Sequence, residues 1–313
     1  MAYLVLMFPG QGSQYVGMGQ DLYDADAAAR ELFHLAEETT GLPLQRLCFA
    51  GPMEELTQTV NLQPAVTAVN LCLYQPLAQA GVKPRAVCGH SLGEYSALFA
   101  AGALGAADTL AAVAQRGRLM QREADKYPGA MVAVIGLTPE KLAGLVHPLT
   151  KEGPIALANF NTPEQTVVSG SPEMVARAGN LAKAEGARVV PLKVSGAWHS
   201  PLMEEAYPDF AGFLATLKFT APKLTLYLNA TAAPEADPEQ LRVAMSRQLT
   251  SPVRWADLIL HLKAAGADTW VEVGPKNVLT GLVGKILPKE PKERFFNVEN
   301  RESLEKFVAA FKS

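Results

Sequence analysis

The residues best suited to covalent chemistry lie in Val87-Cys88-Gly89-His90-Ser91-Leu92-Gly93-Glu94. An apolar run, Ala86 to Cys88, ends in Gly-His-Ser-Leu-Gly, and a helix-forming stretch from Glu94 to Ala101 follows. Gly-x-Ser-x-Gly between a strand and a helix is the pattern of a nucleophile elbow, which would hold Ser91 at the apex of a sharp turn. Gly89 supplies backbone freedom there, and Gly93 lets the helix lie close to the strand. The helix N-terminus then aims free N–H groups where an oxyanion would develop. The bare five-residue pattern also arises by chance in glycine-containing loops; the flanking strand and helix favour the elbow. Cys88 closes a buried strand and reads as a small core residue rather than a nucleophile.

A serine is a weak nucleophile and needs a base. The chain has five histidines. His34 and His261 fall within amphipathic helices, His147 ends a helix before Pro148, and His90 adjoins the serine at a turn where neighbours point apart. His199 lies in Ser195-Gly196-Ala197-Trp198-His199-Ser200-Pro201, a loop at a change of structural pattern, where pocket residues collect. It is the candidate base. Many acidic residues lie between Ser91 and His199, and no spacing selects one of them to orient the imidazole. Arg116, four residues before Met120 on one helix face, reads either as a surface arginine or as a bidentate carboxylate clamp. The neighbouring Gly117 costs helix stability but permits close packing.

These residues need a scaffold, and 313 residues with 49% hydrophobic and 19% charged content supply one large domain with room for an insertion. The net charge of −3, with both signs dispersed, argues against a nucleic-acid surface. No apolar run reaches membrane-spanning length. Met1 to Phe8 lacks a basic flank and reads as a buried first strand, not a signal peptide. Three cysteines, Cys48, Cys72 and Cys88, show no metal-type spacing and suggest reduced thiols in a cytoplasmic protein.

Along the chain, helices are predicted at Ala27 to Thr40 and, opened by Gln63-Pro64, at Asn61 to Gln79, with another from Ala106 to Lys126. Strands at 130–137, 154–159, 165–169 and 188–194 alternate with helices at 139–146 and 172–185. That βαββαβ order predicts a ferredoxin-like subdomain. Helices at 201–217, 238–249 and 253–265 and strands at 224–228 and 269–273 resume the larger pattern. A charged, proline-punctuated loop (289–294) precedes a last strand and helix. The division expected is a large α/β hydrolase-like catalytic subdomain of residues 1–127 and 197–313, mainly parallel in its sheet, and a small subdomain of residues 128–196.

The chain resembles the malonyl-CoA:acyl-carrier-protein transacylases of fatty-acid synthesis and the related acyltransferases of polyketide assembly lines. The resemblance runs nearly end to end. It rests on Gly10-Gln11-Gly12-Ser13-Gln14, Gln63-Pro64-Ala65, Gly89 to Glu94, Arg116-Gly117 with Met120-Gln121, and Gly129-Ala130-Met131. It continues through Asn159-Phe160-Asn161-Thr162-Pro163, His199 to Met203, Gln248 to Val253, and Glu272-Val273-Gly274-Pro275. It implies Ser91 as the acylated nucleophile, His199 as its base, and the backbone N–H groups of Gln11 and Leu92 as the oxyanion hole. Arg116 would bind the malonyl carboxylate; Gln63, Met120, Asn159, Trp198 and His90 would line the substrate pocket. In this family a main-chain carbonyl orients the histidine, here expected to be that of Gln248. No bound cofactor or metal is implied, since malonyl-CoA and the phosphopantetheine arm of acyl carrier protein are substrates. A transient carrier-protein partner and a monomer are expected, with Lys276, Lys285 and Lys289 as docking candidates. Trp198 stands where malonyl-selective members often carry phenylalanine, and its bulk should crowd a methyl branch. Lys276 stands where many members have glycine. The rival readings are an acyl hydrolase and a non-catalytic docking scaffold.

Overall fold

The computed structural model describes residues 3–287 and 293–312, so the expected loop around Lys289 lies largely outside the described residues. Among the described residues, ten strands form two sheets: β1 (Leu4–Phe8), β2 (Ala86–Gly89), β3 (Ala130–Ile135), β4 (Ile155–Thr162), β5 (Gln165–Gly170), β6 (Arg188–Pro191), β7 (Thr225–Tyr227), β8 (Pro234–Glu235), β9 (Thr269–Val273) and β10 (Arg294–Val298). The larger sheet runs β10-β9-β1-β2-β7-β8. All its pairings are parallel except β7 with β8. A parallel sheet covered on both faces explains why β1 reads as an unbroken apolar run. Leu4, Leu6 and Phe8 point into a core shared with the helices Thr59–Gln79, Gly93–Ala100 and Ala106–Lys126. Val5 and Met7 point the other way, towards Trp255, Leu258 and Trp270.

The smaller sheet runs β4-β5-β3-β6 and is antiparallel throughout. Its two helices, Pro139–Val146 and Pro172–Ala184, follow β3 and β5. It has its own core, built from Val132, Val134, Leu142, Val168 and Val175. The smaller sheet is tied to the segment before the helix Trp255–Ala264 where β4 runs past its expected end at Asn159: Phe160 donates its N–H to the Val253 carbonyl (2.8 Å) and Val253 donates to Ala158 (2.8 Å). The register of β4 shifts between Leu157 and Asn159 and again between Phe160 and Thr162. Such irregularities re-aim side chains.

Several boundaries differ from expectation for identifiable reasons. The helix expected at 253–265 begins at Trp255, because Val253 is engaged with the smaller sheet. The helix expected at 201–217 is a short 3-10 turn, Pro201–Met203, and a separate helix, Ala206–Leu214. A continuous helix would bury Pro208 in its interior; the break puts it in the first turn, where its missing N–H costs little. The helix expected from Asn61 begins at Thr59, so Pro64 sits inside it rather than opening it. β6 stops at Pro191, and the helix from Pro238 stops at Ser246, short of Gln248. Arg294, expected in the loop, begins β10.

Candidate active site

Parallel pairing of β1 with β2 and β9 brings their carboxyl ends together, at the edge where open α/β sheets hold ligands. The Gly10-Gln11-Gly12 turn, the Ser91 turn and the Gly274-Pro275-Lys276 loop therefore converge. Ser91 has φ +50°, a left-handed conformation strained for a non-glycine residue. The turn is closed so tightly that a Cβ on Gly89 would collide with the Gly93 backbone, and one on Gly93 with the Phe8 carbonyl. The glycine spacing of the motif is thus a steric requirement of this close approach. Lys276, at φ +61°, donates from its ammonium to the Gly12 carbonyl (3.3 Å), linking two of the loops.

Ser91 Oγ and His199 Nε2 are 2.7 Å apart. His199 Nδ1 lies 2.8 Å from the Ser251 carbonyl and 3.1 Å from that of Gln248. Two acceptors at Nδ1 place the ring proton there, leaving the Nε2 lone pair for the serine hydroxyl. The expected Gln248 carbonyl is thus the longer of two, and Ser251 supplies the shorter contact. No carboxylate is hydrogen-bonded to the imidazole among the described residues. Burial, and then the nearby Arg116 charge, push the His199 pKa down to about 3, so the ring is a neutral acceptor.

Arg116 reaches this point from the helix Ala106–Lys126 and is only 1% exposed, which decides between its two readings: it faces the pocket. Its Nε donates to Gln248 Oε1 (2.8 Å), Nη1 to Gln63 Oε1 (2.5 Å) and Met120 Sδ (3.1 Å), and Nη2 to Ser91 Oγ (3.0 Å). Gly117 makes this reach feasible, because a Cβ there would sit 3.1 Å from the Thr59 carbonyl and 3.3 Å from Gln63. Among the described residues no carboxylate is hydrogen-bonded to the guanidinium.

A cavity of about 290 Å³ opens over these groups between the two sheets. Gln11, Leu92, Gln63, Met120, Asn159 and Trp198 line it, as do Ser91, Arg116, His199 and His90. Every site residue expected from sequence therefore borders the cavity except Gln248, which lies directly behind Arg116 and Ser91. The backbone N–H groups of Gln11 and Leu92 have no protein acceptor among the described residues. His90 pairs through Nε2 with Asn161 Oδ1 (2.8 Å) and stands against Trp255, and burial holds its pKa down. Cys88 is buried, and burial raises its thiol pKa far above the physiological range, consistent with a core role.

Four residues of this site escaped the sequence reading: Glu94, Asn161, Asn229 and Ser251. Glu94, Asn161 and Ser251 lie inside stretches noted for other members. Asn229 belongs to no motif, yet its Oδ1 accepts the Ser91 N–H (2.7 Å) and its Nδ2 donates to the Gly89 carbonyl (2.7 Å). Among the described residues, no group of three or more His, Cys, Asp or Glu side chains is placed to hold a metal ion, and no helix is long and apolar enough to cross a membrane.

Residues 5–298 match the acyl transferase domain family. The malonyl CoA-acyl carrier protein transacylase of Bacillus subtilis (strain 168) is 40% identical over 288 residues, 91% of each chain. The protein of the same name from Escherichia coli (strain K12) is 39% identical over 289 residues, 92% of this chain and 94% of its own. The crystal structure of an acyl carrier protein S-malonyltransferase from Vibrio cholerae superposes with a TM-score of 0.92 at 38% identity, covering 98% of this chain and all of its own. A malonyl-transacylase solved in complex with a type II polyketide synthase acyl-carrier protein superposes with a TM-score of 0.93 at 35% identity, covering 99% of this chain and 100% of its own. With the match spanning nearly the whole chain and the serine, histidine and arginine assembled at one cavity, this protein belongs to the acyl transferase domain family and is an acyltransferase.

Proposed function

We propose that the protein transfers a malonyl group from coenzyme A to the phosphopantetheine thiol of an acyl carrier protein, in fatty-acid or polyketide synthesis, through a malonyl-Ser91 ester. The observation that carries this reading is the buried Arg116 guanidinium, held by neutral amides with Nη2 3.0 Å from Ser91 Oγ. A buried cation with no hydrogen-bonded carboxylate is costly unless a ligand supplies one. A malonyl thioester brings that carboxylate; a hydrolase for simple acyl groups would have no use for the clamp.

In the first half-reaction Ser91 Oγ attacks the thioester carbon while its proton passes to His199 Nε2. The carbonyls of Ser251 and Gln248 hold the imidazolium through Nδ1–H. The Gln11 and Leu92 N–H groups receive the oxyanion, which collapses with release of coenzyme A, its sulfur taking the proton from Nε2. The carrier thiol then gives its proton to Nε2, attacks the ester and leaves as the malonyl thioester, returning the proton to Ser91. Gln63, Met120, Asn159 and His90 shape the pocket, and Trp198, buried beside His199, favours malonyl over a branched methylmalonyl group.

The same reading takes the large sheet with its helices as a hydrolase-like subdomain of residues 1–127 and 197–313. Residues 128–196 form a ferredoxin-like unit; its element order and its strand order β4-β5-β3-β6 support that assignment. It also takes the protein as a cytoplasmic monomer without a bound cofactor, whose carrier partner docks transiently near Lys276 and Lys285; Lys289 lies outside the described residues. Intact mass after mixing with malonyl-CoA, acetyl-CoA and methylmalonyl-CoA in turn tests the chemistry. One malonyl mass is expected on the wild type and none on Ser91→Ala, whereas a stable adduct on the alanine variant would move the nucleophile elsewhere.

A further inference from the structure

Behind the cavity lies a carboxylate that the transfer mechanism above does not use. Glu94, the first residue after the Gly-His-Ser-Leu-Gly turn, is 1% exposed. Its Oε2 accepts from Gln248 Nε2 (2.6 Å) and its Oε1 accepts from the Asn229 backbone N–H (2.7 Å). Both donors belong to residues that hold the reacting groups. Gln248 Nε2 also donates to the Ser91 carbonyl (2.8 Å), its Oε1 receives Arg116 Nε, and its main-chain carbonyl faces His199 Nδ1. Asn229 Oδ1 accepts the Ser91 N–H, and its Nδ2 donates to Gly89.

The donor and acceptor roles in this network leave no freedom. Arginine only donates, so the Gln248 amide oxygen must face Arg116 and its NH₂ must face Glu94 and the Ser91 carbonyl. The Ser91 N–H only donates, so the Asn229 side-chain oxygen must face it. Glu94 therefore sits where two fixed N–H donors converge, and only a group that accepts on both sides fits. We propose that Glu94 is a positioning residue of the transfer reaction: as an ionised acceptor it locks Gln248 and Asn229, and through them the strained Ser91 backbone and the Arg116 guanidinium. This role rests on the malonyl-transfer reading for its assay, not for its geometry.

Isosteric glutamine would fit the space but not the polarity. Its NH₂ must oppose either Gln248 Nε2 or the Asn229 N–H, setting donor against donor at a buried position. A proton on Glu94 would act in the same sense. The groups facing Glu94 are Arg116 across the cavity wall, Cys88 on β2 and Tyr95 on its own helix, with His199 and His90 beyond Arg116. Burial outweighs the Gln248, Asn229 and Arg116 contributions and raises the carboxyl pKa to about 7, while His199 stays neutral far below that.

The test is rapid-quench single-turnover acylation of Ser91 by malonyl-CoA and by acetyl-CoA between about pH 5.5 and 8.5. Wild type should slow as pH falls through about 7, with one proton taken up. Glu94→Gln should be roughly 10- to 100-fold slower with both thioesters, the scale of a small misplacement of reacting groups, and should lack the acidic limb. A Glu94→Gln enzyme with the wild-type rate, or a slow one that keeps the same limb, overturns the proposal. If that variant does not fold, Glu94→Asp replaces it. The shorter side chain keeps the charge but cannot span both donors, so a roughly tenfold loss with a displaced limb is expected, and an unchanged rate and profile overturns the idea. Failure of wild type to acylate at all would instead count against the malonyl-transfer reading.

Discussion

Replacing Arg116 by alanine separates malonyl transfer from every reaction that needs only the serine and histidine. In wild type the buried guanidinium makes hydrogen bonds to Gln248, Gln63 and Ser91 and a contact to the Met120 sulfur. A malonyl carboxylate entering the cavity must lose its own hydration and find that fork. Removing one member of such a buried pair costs roughly 3–5 kcal/mol. At about 1.4 kcal/mol per decade, malonyl acylation should fall by roughly two to three and a half orders of magnitude. The truncation also strands the amide oxygens of Gln63 and Gln248, a cost of roughly 1–3 kcal/mol each, but that cost falls equally on acetyl-CoA, which has no carboxylate to lose. The decisive quantity is therefore the malonyl-to-acetyl rate ratio, measured by single-turnover acylation, which should drop by about two orders of magnitude or more. Lysine at 116 should rescue only in part, because it supplies charge without the fork. Equal losses for the two thioesters would refute the clamp and make Arg116 a structural residue.

His199→Ala should slow acylation roughly 10²–10⁴-fold, the usual contribution of a general base, and a near-normal burst would remove His199 from the mechanism. Gly93→Ala should sharply reduce soluble yield or melting temperature, because its methyl would occupy the position of the Phe8 carbonyl; a wild-type melt would show that the turn can open. His199 also predicts a pH dependence of stability. Its folded pKa is depressed to about 3, while an unfolded imidazole protonates near 6.5, so between those values the unfolded chain alone binds the proton. Stability present above about 6.5 is then lost as pH falls, by up to about 1.4 kcal/mol per unit, relative to His199→Gln. Denaturant titrations of both proteins at pH 7 and pH 4.5 would refute this if their difference stayed constant.

Features with local physical causes were legible in the sequence. The helix Ala27–Thr40 lies where it was expected because Asp26 caps its start, accepting from the Ala28 N–H, and Gly41 ends it at φ +71°. β9 at Thr269–Val273 and the helix Ala106–Lys126 likewise match their apolar patterns. The turn around Ser91 could be read because its strain, its two glycines and its flanking elements all fall within a dozen residues. The pairing of Ser91 with His199 was open to inference only as a choice among five histidines, since 108 residues separate them.

Other features were decided by contacts between distant segments. An amphipathic helix carrying Arg116 is compatible with solvent or pocket; packing against Gln63 and Gln248, 53 and 132 residues away, settles which. No acid could be chosen to orient His199 because the acceptors are main-chain carbonyls, a group every residue carries and no side-chain pattern reveals. Asn229 stayed invisible for a related reason. It sits in an ordinary loop, and only the folded sheet brings its amide to the Ser91 N–H, 138 residues earlier. Local spacing encodes the turn that strains the nucleophile, whereas the polar groups that hold it in place satisfy one another only after the chain has closed around them.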